Sequence, residues 1–400
     1  MCKGARIEKF LDLGRHTLMN SLLRKDQLQL REEHYPLQVG FCQRCRLVQL
    51  LYVVDSRKIY QDVDYLYFSS DMPNLSDYFR DYAQEIGQRY LSEGGLMVEI
   101  GSNDGVLLSL FKPPVRVLGV DPSTNVVLRA LKKGIPTVSA FFSADVARKI
   151  RNEWGQAQVI SGSNCIAHLE NLHDLMDGVS TLLAEDGVFC IEANYWGGMV
   201  RNTNYSLIYL DHFSFFSLEV WQTFAKKWDM SVFDAYVTPA QGGSLRVCLS
   251  KDRREPTGRL KALEGQEREK KTNSFKTCQS YAQAVNRRRK EIRELLRGLS
   301  RQGKVVAGYG AAAKGLSILK CSEIGKDAIR FFVDDSPAKQ GYFTPETHIP
   351  IYRRDQVQDP DYFMVLAPNY AEVIIGKEQE FIRKGGKFII PKERVEVYPN

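Results

Sequence analysis

Residues 98–111 read VEIGSNDGVLLSLF. An apolar run ends at Gly101 and Gly105, which bracket Ser-Asn-Asp, and a second apolar run follows. The pattern predicts a strand, a tight polar turn and a helix. In a doubly wound sheet, ligands sit beyond the carboxyl ends of the strands. Glycine lets the backbone approach such a ligand, and the following helix opens with free N–H groups. Glu99 is the residue out of place, an acid inside the strand.

The spacing is E-x-G-x-x-x-G, not the G-x-G-x-x-G of a dinucleotide site. Asp104 in the turn argues against a pyrophosphate and for a ligand with a cationic or neutral edge. The next strand, VLGVDPS, ends in Asp121, whose carboxylate can accept two ribose hydroxyls. Glu99, Gly101, Asn103, Gly105 and Asp121 are therefore the expected cradle of an adenosyl ligand. S-adenosylmethionine and a dinucleotide both remain open on these residues alone.

Around this turn, LMVEIG, VRVLGVD, AQVISGS, GVFCIEA, SVFDAYV and SLRVCLS alternate with amphipathic helices. That rhythm predicts a mainly parallel sheet with helices on both faces. Helical spacing fills 61–92, as in LSDYFRDYAQEIGQRYL. Residues 304–400 restart the rhythm with KVVAGYG, IRFFVDD, FMVLAP and KFIIP. Residues 1–60 hold short apolar pieces and form a β-rich unit with little core of its own. Residues 251–302 are dense in Arg, Lys and Glu with an apolar stripe, which predicts a solvated connecting helix. The expected divisions are 1–60, 61–250, 251–302 and 303–400.

A chain of 400 residues exceeds one ordinary core. Its net charge of +7 allows an anionic partner such as a nucleotide, without the basic stripe of a nucleic-acid binder. No apolar run approaches the ~18 residues of a membrane span. Of eight cysteines only Cys42 and Cys45 are closely spaced, and MCKGARIEKF has no apolar signal core. The expectation is a cytoplasmic protein with reduced thiols.

Further motifs follow in order: FLDLG (10–14), YPLQVGFCQRC (35–45), SNCIAHLENLHD (163–174), IYLDHFSFFS (208–217), GGSLRV (242–247), GYGAAAKG (308–315) and VDDSPAKQGYFTPETHIPI (333–351). With VEIGSNDG these resemble the S-adenosylmethionine-dependent sugar C-methyltransferases along nearly the whole chain. The resemblance implies methylation at C3 of a dTDP- or GDP-linked 4-keto-deoxyhexose, on the way to branched sugars. It also implies an α/β fold of three parts. These are a small β-rich N-terminal zinc module, a central Rossmann-like methyltransferase sheet and a smaller C-terminal Rossmann-like domain.

Four-ligand zinc sites often use two C-x-x-C knuckles. Cys42 and Cys45 form one, and the family has another before FLDLG, where this chain offers Cys2. Zinc on Cys2, Cys42 and Cys45 is expected, with His16 or His34 as a possible fourth ligand. Substoichiometric metal is expected for the chain as it begins here.

Carbon methylation beside a ketone needs a base for the C3 proton and a donor for the enolate oxygen. IYLDHFSFFS supplies Tyr209, Asp211 and His212. His212 is the expected base, Asp211 its orienting acid and Tyr209 the donor. The family pattern is close to Tyr-His-Glu-His, so Leu210 and Asp211 depart from it. By resemblance His168 and Tyr67 join the site. Glu192 ends the fourth central strand and is expected to touch the sugar. His173 is expected to be structural.

GYGAAAKG follows a strand, and the next strand ends in Asp334-Asp335. On spacing this is the better dinucleotide fingerprint, and Lys314 could meet a diphosphate. An NAD-dependent sugar oxidoreductase is therefore the alternative, although Ala313 fills the third glycine position. An inactive scaffold of the same fold is the third reading, opposed by Tyr209, His212 and His168.

Overall fold

The computed structural model describes residues 1–400 apart from 3, 5, 63–64, 72–74, 368–369, 392–394 and 400. The ends of the VDYLYFSSDMP stretch thus lie outside the described residues. Three sheets organise the chain. The central one has seven strands, ordered Ser231–Thr238, Ser244–Ser250, Leu183–Asn194, Ala157–Ser163, Gly95–Ile100, Val115–Asp121, Thr137–Ser139. All its neighbours run parallel except Ser244–Ser250, which opposes both strands beside it. Strand Gly95–Ile100 is buried at every position after Gly95, as a strand covered on both faces must be. The strand order reverses beside it, so the crevice opens where Gly101 and Ser163 leave the sheet.

Two of the helices that cover this sheet, Ala144–Trp154 and Leu172–Leu182, start on capping side chains. Ser143 accepts the Val146 N–H at 3.2 Å, and Asn171 accepts those of His173 and Asp174 at 3.1 and 3.2 Å. Helix Leu75–Tyr90 begins later than its periodicity suggests. Residues 65–71, which include a 3-10 turn at Ser69–Asp71, lie over the glycine turn, where Asn103 bonds Ser69 and Tyr67.

The C-terminal sheet orders Ile351–Tyr352, Phe332–Val333, Val306–Tyr309, Tyr362–Val365, Lys387–Pro391 and Val395–Tyr398. Only the last strand is antiparallel. The N-terminal sheet is antiparallel and has four strands: Ile7–His16, Tyr35–Cys42, Val48–Leu50 and, from the middle of the chain, Ser214–Phe215. The small unit therefore completes its sheet with the residues that follow His212.

The charged connector is more than a solvated spacer. Helix Phe275–Arg301 buries Cys278, Tyr281, Ala282, Val285, Ile292, Leu296 and Leu299. These share one apolar core with Leu11, Leu37 and Phe41 of the first unit and Phe332 and Met364 of the last. Lys276, Arg287, Lys290, Arg297 and Arg301 are exposed, while Arg289 turns inward and donates to the Cys321 carbonyl.

Candidate active site

One cavity of about 260 Å³ draws its walls from all three units. Met19 and Asn20 come from the first. Gly101, Asp121, His168, Tyr209 and His212 come from the centre. Ala311–Lys314, Lys339 and Tyr370 come from the last.

The glycine turn forms one end. Gly101 has φ +66°, and a Cβ there would lie 2.5 Å from the Cys165 Cβ. Only glycine fits this turn against that neighbour. Asp121 Oδ2 accepts the Asn103 N–H at 3.0 Å and Oδ1 accepts the Ser123 N–H at 2.9 Å. Burial raises the Asp121 carboxyl to about 6 against these bonds. Each oxygen keeps a lone pair for a ligand hydroxyl. Glu99 Oε2 is buried without a partner, and burial, with Asp121 and Asp104 nearby, holds the group well above its ordinary pKa. Glu99 lies behind the turn and does not line the cavity.

Other members of the turn serve the protein itself. The Asn103 side chain accepts the Ser69 N–H at 2.8 Å and donates to the Tyr67 carbonyl at 3.1 Å, fixing the tyrosine segment over the crevice. Gly105, φ +79°, packs on Ile135. Asp104 is fully buried and bonded to Lys133 Nζ at 2.8 Å, with Arg129 Nε at 3.4 Å. Its charge is answered inside the protein, so the expected repulsion of a pyrophosphate does not follow from it.

The reactive groups meet farther along. Phe213 N–H donates to the Ala167 carbonyl at 2.7 Å and the Leu50 N–H to the Phe213 carbonyl at 2.9 Å. These bonds dock the 207–213 turn against the turn carrying His168 and against the N-terminal sheet. The His168 and His212 rings lie 4.6 Å apart, edge to face. His212 Nδ1 is 2.6 Å from the Leu207 carbonyl, which can only accept, and 3.0 Å from the side-chain amide of Asn194; the shorter contact puts the proton on Nδ1, and the Asn194 amide then turns its oxygen to the ring. Nε2 then holds the lone pair and accepts the Tyr209 hydroxyl at 2.9 Å. Burial, then the neighbouring His168, depress His212 well below its ordinary pKa, and burial takes His168 to about 4. Both imidazoles are neutral at working pH. Tyr60 Oη is hydrogen-bonded to His168 Nδ1.

Asp211 is fully buried and does not face the cavity. Its Oδ2 accepts Asn20 Nδ2 at 2.5 Å. Tyr67 lines the cavity, and Gln241 links it to the third unit, donating to Tyr67 Oη at 3.5 Å and accepting from Lys314 Nζ. Burial lowers Lys314 to about 8. Lys339 Nζ donates to the Ala311 carbonyl at 3.2 Å.

Glu192 requires a correction. Its carboxylate is fully buried, off the cavity, and accepts Arg246 at 2.7 Å, Thr238 at 3.2 Å, Asn164 at 3.1 Å and Tyr78. A carboxylate with four donors has no capacity left for a sugar; it fixes Asn164, which lines the cavity. Tyr60, Asn20, Gln241 and Lys339 went unread in the sequence. Each belongs to the cavity through tertiary contacts; no quoted motif contains Tyr60, Asn20 or Gln241, and Lys339 falls within the 333–351 motif without being singled out by it.

Cys2, Cys42 and Cys45 bring their sulfurs within 4.8 Å of one another. Zinc–sulfur bonds of ~2.3 Å in a tetrahedron separate sulfurs by roughly 3.8 Å, so the trio fits three corners of a zinc site. Neither histidine joins it. Ile7 pairs with Cys42 at one end of its strand, and His16 pairs with Tyr35 at the other. His34 Nδ1 lies 3.1 Å from the Glu32 carbonyl.

Among known proteins, residues 1–60 match a domain described as zinc binding, 74–232 a methyltransferase domain and 239–392 the C-methyltransferase C-terminal domain. The last includes the second glycine turn, which places that turn in a methyltransferase and not in the oxidoreductase of the alternative reading. The chain is 35% identical over 399 residues to the C-methyltransferase NovU of Streptomyces niveus, covering 98% of this chain and 94% of that one. Among solved structures, a methyltransferase from Anabaena variabilis aligns at 15% identity, TM-score 0.33, over 45% of this chain and 96% of that one. Magnesium protoporphyrin IX methyltransferase from Synechocystis aligns at 12%, TM-score 0.35, over 44% and 83%. Among the described residues no helix is long and apolar enough to cross a membrane.

Proposed function

We propose, for a chain that belongs to the C-methyltransferase family over 98% of its length, that it methylates C3 of a nucleotide-linked 4-keto-deoxysugar. The observation that carries this reading is the Tyr209–His212 pair, a phenol donating at 2.9 Å to a neutral imidazole in one cavity. A base and a donor in contact suit proton removal beside a ketone.

S-adenosylmethionine supplies an electrophilic methyl group on a sulfonium. Gly101 and Asp121 would hold it, with Glu99 buried behind them, and Asn103 and Gly105 shape the turn. The ketone oxygen draws the Tyr209 O–H away from His212. That frees the Nε2 lone pair for the C3 proton, and Tyr209 stabilises the enolate oxygen. With the donor bound, the enolate C3 would take the methyl group as its bond to sulfur breaks, S-adenosylhomocysteine would leave, and the C3 proton would stay on His212 Nε2. His168, braced by Tyr60, lies beside the same reacting centre. Lys314, and Lys339 beside Asp334, supply cations from the third unit for a diphosphate. The nucleotide, dTDP or GDP, is left to the assay.

Zinc on Cys2, Cys42 and Cys45 would tie the chain start to the knuckle and hold the N-terminal sheet that carries Ser214–Phe215. Its role is structural.

The test is turnover of 4-keto-deoxyhexose nucleotides with S-adenosylmethionine, together with deuterium exchange at C3 in D₂O. His212→Ala should lose turnover by at least ~10²-fold, the low end for a general base, and lose the exchange, while S-adenosylhomocysteine binding persists. Near-normal exchange in that variant would move the base to His168.

A further inference from the structure

Residues 17–34 leave the N-terminal sheet, cross the cavity and fasten to the C-terminal unit. Leu23 and Phe343 exchange backbone hydrogen bonds of 2.9 and 2.8 Å. Glu32 accepts the Glu346 N–H at 2.8 Å and bonds His348 Nε2 at 2.8 Å. Between these anchors and the sheet, Asn20 lines the cavity wall and reaches the carboxylate that precedes His212.

We propose that Asn20 is a positioning residue of the active site, its amide holding the Asp211 carboxylate behind the Tyr209–His212 pair. Asp211 is fully buried, and its Oδ1 has no partner. The Asn20 amide at 2.5 Å is therefore the donor that keeps a charge there tolerable. The titratable groups that feel this charge are Tyr60, Tyr65 and Tyr209, whose phenols burial and Asp211 both hold in the protonated form. His212, next in the chain, turns its ring to Leu207 and Tyr209 instead. An ionised Asp211 thus keeps the proton on Tyr209, the proton that His212 and the ketone share. Burial places Asp211 at about 6, with Asn20 pulling downward. Without Asn20 the carboxyl stays protonated to higher pH. The shorter acid in this chain is matched by a donor from a different unit, so the first sixty residues act on the site through Asp211.

The activity part of this inference rests on the methyl-transfer reading; the stability part does not. Thermal melts of the whole protein without ligands, at pH 5 and pH 8, compare wild type, Asn20→Ala and Asn20→Asp. At pH 5 Asp211 is mainly protonated in all three, so Asn20→Ala should cost little. At pH 8 it should lose more, and Asn20→Asp, facing two carboxylates, more still. In an Asp211→Asn background the pH dependence of the Asn20→Ala loss should vanish. The acid limb of the turnover profile should move up by about one unit in Asn20→Ala, as expected for losing one hydrogen bond to a charge. A loss equal at both pH values, or pH dependence that survives Asp211→Asn, overturns the inference. If the melts behave as expected while wild type leaves every 4-keto sugar untouched, the substrate reading fails and the Asn20–Asp211 link stands.

Discussion

Tyr209 and His212, three residues apart on one turn, meet through the Tyr209 hydroxyl and His212 Nε2 at 2.9 Å. The Leu207 carbonyl on the opposite nitrogen fixes which atom accepts. Tyr209→Phe removes the hydroxyl and leaves the ring in its buried position. Turnover should fall by about 10²- to 10³-fold, the range for losing one donor to a developing oxyanion. Donor affinity measured by calorimetry should stay within a factor of about two. Exchange at C3 should slow in step with turnover; unimpaired exchange would mean that Tyr209 acts only after the enolate has formed.

His16 gives a pH prediction outside the active site. It is buried, its Nε2 lies 3.0 Å from the Leu13 carbonyl, and burial lowers it to about 4 from 6.5. A histidine depressed in the folded state binds fewer protons there than when unfolded. Stability therefore falls as pH drops from about 6.5 towards 4. The shift corresponds to roughly 3 kcal/mol at its full extent. His16→Leu should be less stable than wild type at pH 7.5 and lose that disadvantage by pH 4.5. A constant difference in melting temperature across this range would refute the assignment. Asp121 and Asp211, raised to about 6 by burial, tilt the wild-type curve the other way. The comparison must therefore be between variant and wild type at each pH.

The sheets were legible because their signals are local. Apolar runs such as LMVEIG and VRVLGVD are strands, and the glycines between them mark the edge where ligands bind. Gly101 shows both the reach and the limit of that reading. Its position in the crevice follows from the motif, but the Cys165 side chain that excludes any Cβ comes from another strand end. Side-chain direction was the weak link. Glu192 and Asp121 both end central strands, yet four internal donors consume the first, and only backbone N–H groups hold the second. Nothing within a few residues of either acid distinguishes them. Asn20 and Tyr60 were invisible for the same reason, since the fold alone brings the first unit over the central crevice.

The thiol cluster predicts a metal-dependent N-terminal sheet. Cys42 ends the strand Tyr35–Cys42, and Cys45 lies in the turn that leads to Val48–Leu50. Val48 pairs in turn with Phe215, three residues past His212. Cys42→Ser or Cys45→Ser should therefore lower zinc content by elemental analysis, lower the melting temperature and reduce turnover. The central domain should still bind S-adenosylhomocysteine. Equal zinc content in both variants and wild type would remove the cysteines from metal binding.

Lys314 opens the second glycine turn's helix, Ala313–Cys321, and faces the cavity. Burial alone lowers it to about 8, so in an empty site its charge is lost as pH rises through that value. A bound diphosphate would reverse that, because an adjacent anion favours the charged form. The charge is present below about 8 and lost above it. KM for a nucleotide sugar should accordingly rise as pH passes upward through 8, with kcat less affected. Lys314→Met should raise KM by about 10- to 100-fold, the worth of one hydrogen bond to a charge, and flatten that pH dependence. Lys339→Met should raise KM in the same direction. Should Lys314→Met instead lower kcat at unchanged KM, the lysine would belong with Tyr209 and His212 in the chemistry, and the diphosphate would have to be held elsewhere.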